Sequence, residues 1–208
     1  ALQSDILGAA SFDIFNILCL SGDHQIFGDN PKGQNVFDLD SMQLIQTVRY
    51  MRDEGKFLGG DPIQRPPQLF VGAAANPFAD PFEIRVPRLA KKIAAGVEFI
   101  QTQCIFNVEK FKLYMKLAAD RGLTEKAFIL AGVTPLKSVG MARYIDRHMD
   151  HVHIPEDLIR RIQKAPDKVR ECVQIAAELV SAIRDAGYSG VLISTIGWED
   201  KLPNILEV

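Results

Sequence analysis

Two periodicities divide the chain. Short runs dominated by apolar or small residues fall at residues 16–20, 68–75, 99–105, 127–133 and 190–196, each closed within two residues by Gly, Pro or Asn. Between them, apolar residues recur every three to four positions. The first pattern predicts strands and the second predicts helices that bury one face. After the strand at 16–20, Asp40 or Ser41 is placed to cap a helix whose buried face is Met42, Leu44, Ile45, Val48 and Met51 and whose end is near Gly55. Further helices are predicted over 83–95, 108–121, from about Thr134-Pro135 to Arg147, over 167–186 and over 198–206, and one within 2–15 whose end Gly8 and the crowded residues 12–15 leave open. Residues 148–166, with Pro155 and Pro166, read as a connecting segment.

The unbroken run Asn16-Ile17-Leu18-Cys19-Leu20 is expected to be buried on both faces and to end at a functional edge marked by Ser21-Gly22-Asp23. The order is βα repeated five times, which argues for a parallel sheet with helical crossovers. A doubly wound sheet and a (βα)8 barrel both satisfy that order. Five strands do not close a barrel, and a complete one takes about 250 residues. The barrel therefore requires about three further βα units upstream of residue 1.

Composition narrows the partners. A formal net charge of -2 and a pI near 6.1 supply no field to gather nucleic acid or an anionic membrane surface, so neither is expected as a partner. No apolar run approaches the roughly 20 residues of a membrane span. Cys19, Cys104 and Cys172 have neither CxxC nor zinc spacing and read as reduced thiols of a cytoplasmic protein.

Several residues invite a chemical reading. Asp23 stands at the mouth of the first strand, where α/β folds place ligands, although an acid there also serves as a turn or cap residue. The polar loop at 27–35 is long enough to be a binding loop. Arg88, Lys91 and Lys92 lie within one helical turn and can share a face, which is either an ordinary solvated face or an anion cradle. Gln101 and Gln103 alternate with apolar residues, so their amides point to one side of the strand at 99–105. A buried amide needs partners, which makes it costly as filler. His148, His151 and His153 lie within six residues, but Pro155 and the lack of carboxylates in register favour a solvated loop over a metal site. Trp198 reads as a packing residue.

Leu20-Ser21-Gly22-Asp23, Ala74-Ala75-Asn76-Pro77, Lys91 to Gly96 ahead of Thr102-Gln103, and Gly132-Val133-Thr134-Pro135 occur in this order along nearly the whole chain. Together they resemble the methylenetetrahydrofolate reductase family. The resemblance implies a TIM-type (βα)8 barrel, of which this chain supplies about the last five βα units. It implies FAD, with FMN possible, a folate substrate, and reduced nicotinamide nucleotide or a partner subunit as electron donor. The implied reaction reduces 5,10-methylenetetrahydrofolate to 5-methyltetrahydrofolate, and a homo-oligomer is expected. Asp23 would tune the flavin, with Leu20, Ser21, Gly22, Phe37 and Asp38 around it. Ser21 replaces an Arg common in the family. Arg88, Lys91 and Lys92 would hold the cofactor phosphates, Arg88 where a neutral amide is usual. Asn76 and Asp80 stand where Tyr and His are frequent on the adenosine side. Gln103 would hydrogen-bond the pterin, Met141 falls at a second substrate glutamine, and Ile145 at an aromatic. The family's general acid has no counterpart in this chain, so the isolated chain is expected to be inactive. The alternative is a barrel subunit that binds flavin without its own acid.

Overall fold

A computed structural model of the chain describes residues 1–149 and 152–207. Its strands are β1 (Asn16–Cys19), β2 (Phe70–Ala75), β3 (Phe99–Cys104), β4 (Phe128–Val133) and β5 (Gly190–Ile193). They form one parallel sheet in the order β1-β2-β3-β4-β5. Asn16 to Cys19 pair with Phe70 to Ala73, and Leu130 to Val133 pair with Gly190 to Ile193, both in parallel register. Neighbours in chain order are what a succession of right-handed βα units produces, whereas a doubly wound sheet reverses its order partway. The chain divides into two compact units, Ala1–Ala74 with Lys91–Phe99, and Ala75–Ala90 with Ile100–Val208.

In the first unit, α1 (Leu2–Ser11) leads into β1, and α2 (Ser41–Asp53) precedes β2. Asp40 caps α2: its Oδ1 accepts from Gln43 N–H at 2.8 Å, and Gln43 Oε1 accepts from Asp40 N–H at 2.9 Å. This reciprocal pair satisfies two donors that a helix start leaves orphaned. Ile45, Val48 and Met51 are then fully buried with Leu69, Val71 and Val97. At the other end of α2, Arg52 donates to Leu69 O at 2.9 Å and to Glu98 Oε2 at 2.6 Å, and the same Glu98 oxygen accepts from Val71 N–H. One guanidinium thus ties the helix end to the start of β2. β1 departs from the expectation of a doubly buried strand. Asn16 is exposed, Ile17 and Leu18 are half-buried, Cys19 alone is buried and Leu20 is 49% exposed. The cause is position, since β1 ends the strand order and has a neighbour on one side only.

The second unit carries the larger core. It holds α4 (Val108–Ala119), α5 (Val139–His148), α6 (Glu156–Lys164), α7 (Lys168–Ile183) and α8 (Leu202–Leu206); α3 (Arg85–Ala94) begins in it. Side chains on α5, α6 and α7, including Ala142, Ile145, Ile159, Ile162, Cys172, Ile175 and Leu179, close around Phe106, Leu136, Val152 and Ile154. Trp198 is partly buried against this cluster, in keeping with a packing role.

α6 corrects the reading of 148–166 as a connection. Pro155 sets the entry, Glu156 and Asp157 fill the first turn, and Arg161 and Lys164 the last, so the charges complement the helix dipole. Ile159 and Ile162 are buried and Leu158 packs partly buried beside them, an apolar stripe set among charged residues; Pro155 and Pro166, which read as loop markers, instead bound a short helix.

Arg161 joins α6 to α7 by donating to Glu171 Oε1 at 2.8 Å and to both oxygens of Glu178. The Arg161 bonds hold the Glu178 carboxyl below its ordinary range. A carboxylate with a depressed folded-state value stabilises the fold above the ordinary carboxylate range and loses that contribution as pH falls through the lowered value. Thermal unfolding of Glu178→Gln is therefore expected to fall below the parent at pH 7 and to match it at an acid pH below the lowered carboxyl value. Equal differences at both pH values would refute the linkage.

Candidate functional site

Several polar residues singled out by the sequence follow closely on the C-terminal ends of strands, Ser21 to Asp23 after β1 and Asn76 after β2. After β1, Ser21 Oγ accepts from Ser41 N–H at 3.0 Å, which fastens the strand end to the start of α2. Gly22 follows with φ of 72° and nothing within 4 Å of where a Cβ would stand. That left-handed conformation suits glycine and leaves the backbone open to a ligand. Asp23 is exposed. So are Leu20, Ile26, Val36, Phe37 (81%) and Asp38, which gives this edge an apolar as well as an acidic character. Within the same loop the Oε1 of Gln25 is buried without a partner, an unused acceptor that sequence patterning could not single out.

The three cations of α3 do not share one open face. Arg88 and Lys91 are exposed, and among the described residues neither side chain makes a hydrogen bond or ion pair. Lys92 is half-buried, and its ammonium donates to Ala74 O at 2.6 Å, at the end of β2. It folds onto the strand because the last carbonyls of β2 lie within reach of a long side chain at the end of α3.

After β2, Asn76 Oδ1 accepts from the N–H groups of Phe78 at 2.9 Å and Ala79 at 3.2 Å, an Asx turn that rigidifies the loop. Asp80 is exposed and stands 3.7 Å from the ammonium of Lys110, which also donates to Phe78 O at 2.7 Å.

On β3 the predicted alternation is present. Ile100 and Thr102 are buried, whereas Gln101 and Gln103 are half-buried on the opposite side. Among the described residues neither glutamine amide makes a side-chain hydrogen bond. Thr102 is spent on structure: its Oγ1 accepts from Gly132 N–H at 2.9 Å and donates to Gln103 O at 3.1 Å. Cys104 Sγ lies 2.8 Å from Thr134 Oγ1, and burial pushes its thiol up from the ordinary value. Burial also pushes Cys19 and Cys172 up to about 11, so none of the three thiols is an activated nucleophile.

α5 presents its two expected substrate residues differently. Met141 is partly buried against the core, its sulfur accepting from Lys137 N–H at 3.5 Å, and Ile145 is 6% exposed inside the cluster. Of the three histidines, His153 Nδ1 lies 2.9 Å from Asp146 Oδ1 and His148 Nδ1 lies 3.0 Å from Tyr144 O, while His151 falls outside the described residues. No helix among the described residues is long and apolar enough to cross a membrane.

Comparison with known proteins places these features in context. The family model described as methylenetetrahydrofolate reductase matches residues 1–208. A probable methylenetetrahydrofolate reductase (NADPH) from Caenorhabditis elegans is 23% identical over 137 residues, 64% of this chain and 19% of that relative, so the chain spans about a fifth of the relative's length. Among solved structures, an uncharacterized protein from Clostridium thermocellum that binds two copies of 5-methyl-5,6,7,8-tetrahydrofolic acid superposes with a TM-score of 0.54 at 16% identity. That superposition covers 99% of this chain and 86% of the other and shows a shared fold.

Proposed function

Because the chain belongs to the methylenetetrahydrofolate reductase family, we propose that it takes part in the flavin-dependent reduction of 5,10-methylenetetrahydrofolate to 5-methyltetrahydrofolate, with reduced nicotinamide nucleotide or an electron-donating partner subunit as donor. The observation that carries the reading is the family match over the whole chain; the folate bound by the Clostridium thermocellum neighbour supports the substrate class. In this reading the five strands are consecutive strands of a (βα)8 barrel.

The residues fit a flavin. Exposed Arg88 and Lys91 have donors to spare for phosphate, Gly22 leaves the backbone open, Leu20 and Phe37 offer apolar surface, and Gln25 keeps an acceptor without a partner. Each unused cation on α3 is able to make charge-assisted bonds to a phosphate oxygen. A bound flavin would supply the hydride chemistry. Asp23 would bring a negative charge to the cofactor's edge, opposing charge that accumulates there and so setting how readily hydride leaves. Gln103 would spend its unpaired amide on the pterin, fixing the orientation of the folate. Thr102 holds Gln103 in place by accepting from Gly132 N–H behind it.

The test separates these roles. The purified chain is expected to be yellow, with the flavin band at roughly 450 nm. Arg88→Ala and Lys91→Ala should each weaken flavin binding on the order of tenfold, the value of one charge-assisted hydrogen bond. Gln103→Ala should raise the Kd for the folate and leave flavin affinity unchanged. Colourless protein that takes up no flavin would overturn the reading, and so would a flavin-loaded chain that binds no folate.

A further inference from the structure

The second unit contains a cavity of about 460 Å³ that the proposed reaction does not use, apart from Asp80 at its wall. That volume lies in the range of small-molecule sites. Its apolar lining comes from Phe78, Phe106 and Val152, which are 9%, 5% and 4% exposed and held in place by the core. Aromatic and branched walls of this kind accept an apolar side chain and do not rearrange to do so.

The polar lining carries both signs of charge. Lys110 stands 3.7 Å from Asp80, and His153 Nδ1 stands 2.9 Å from Asp146. Asp146 uses one oxygen, Oδ1, for both of its contacts, to His153 and to Ile154 N–H at 2.9 Å, which leaves Oδ2 uncommitted. The next residue, Arg147, also lines the cavity, and among the described residues its guanidinium has no partner. Lys110 has two of its three donors left after bonding Phe78 O.

These charges discriminate between ligand classes. A simple anion would gain Arg147 and Lys110 but would face the carboxylates of Asp80 and Asp146. A simple cation would meet the converse penalty. A molecule with an ammonium and a carboxylate a few bonds apart satisfies both sets at once, with an apolar side chain for the Phe78–Phe106–Val152 wall. We propose that this cavity binds a free α-amino acid with a large apolar side chain. The carboxylate goes to Arg147, the ammonium to the open oxygen of Asp146, and the side chain to the aromatic wall.

The experiment is calorimetric titration of the full chain, without flavin or folate, with L-phenylalanine, N-acetyl-L-phenylalanine and phenethylamine. The two controls keep the ring and carry only the negative or only the positive charge. Saturable binding of L-phenylalanine at least tenfold tighter than either control is the expected result. Arg147→Ala should weaken it at least tenfold, and because Arg147 is exposed the variant keeps its fold, checked by an unchanged melting temperature. Met149→Trp, which fills the cavity from a residue 38% exposed, should abolish binding. No binding of L-phenylalanine, equal binding of the acetylated form, or binding indifferent to Arg147→Ala would each overturn the proposal. Since neither cofactor nor folate enters the measurement, its failure leaves the reductase reading untouched, and the converse holds.

Discussion

Replacing Gly132 with alanine is expected to lower the melting temperature by about 6–12 °C and, given the role proposed for Gln103, to abolish the proposed folate binding in the protein that remains folded. Gly132 lies within β4, fully enclosed. Its N–H donates to Thr102 Oγ1 at 2.9 Å and its carbonyl accepts from Ile105 N–H at 2.9 Å, so both backbone groups are committed to β3. A Cβ at this position would collide with the Thr102 carbonyl oxygen and press on the carbonyl carbon and oxygen of Gln103 at 3.1 Å. All of these are backbone atoms, which have no rotamer to escape into. β3 would have to move away from β4 at Gln103, the residue whose amide is proposed to hold the pterin. Overpacking against backbone costs on the order of 3 kcal/mol or more, and in a domain of this size each kcal/mol is worth about 2–4 °C. Thr102→Val is the milder companion: it keeps the shape but leaves Gly132 N–H buried without an acceptor, a loss of about 1–3 kcal/mol. A Gly132→Ala protein that melted with the parent and bound folate as tightly would show that the two strands are free to slide.

The contrast between what periodicity revealed and what it did not follows from where the free energy of each element comes from. The α2 start was legible because Asp40 and Gln43 stabilise it locally, through a hydrogen-bond pair that needs nothing else in the fold. The alternation of Gln101 and Gln103 was legible because a strand has only two sides. α6 was not, because Pro155 and Pro166, read as loop markers, instead bound a nine-residue helix whose Leu158, Ile159 and Ile162 enter the α5–α7 cluster. The exposure of β1 depends on its place in the sheet, a property of strand order that its apolar composition does not encode. Similarly, Lys92 reads as one more cation of a surface turn until the Ala74 carbonyl is seen to take its ammonium. The resemblance drew attention to strand-end residues one by one. The cavity escaped it because Lys110 on α4, Asp146 and Arg147 on α5 and Asp80 after β2 are brought together only by folding.

The first unit offers the sharpest test of packing, again at a strand glycine. Gly72 lies opposite Leu18 in the β1–β2 register, and the ring of Phe99 sits directly where its Cβ would be. The same ring stacks on Phe70 with centroids 5.3 Å apart and is 8% exposed, so it is held from a second side and cannot swing away. Gly72→Ala should therefore cost about 1–3 kcal/mol through overpacking. Phe99→Ala should cost about 3–5 kcal/mol through the lost ring and the space it leaves. If the two residues compete for one volume, the double variant will be more stable than the sum of the single losses predicts, because the new methyl then occupies part of the vacated space. A coupling of about 1–2 kcal/mol from denaturant melts of the four proteins is the expected value. Strict additivity would mean that the Phe99 ring has another place to go, and that the bare surface of Gly72 is not what seats it.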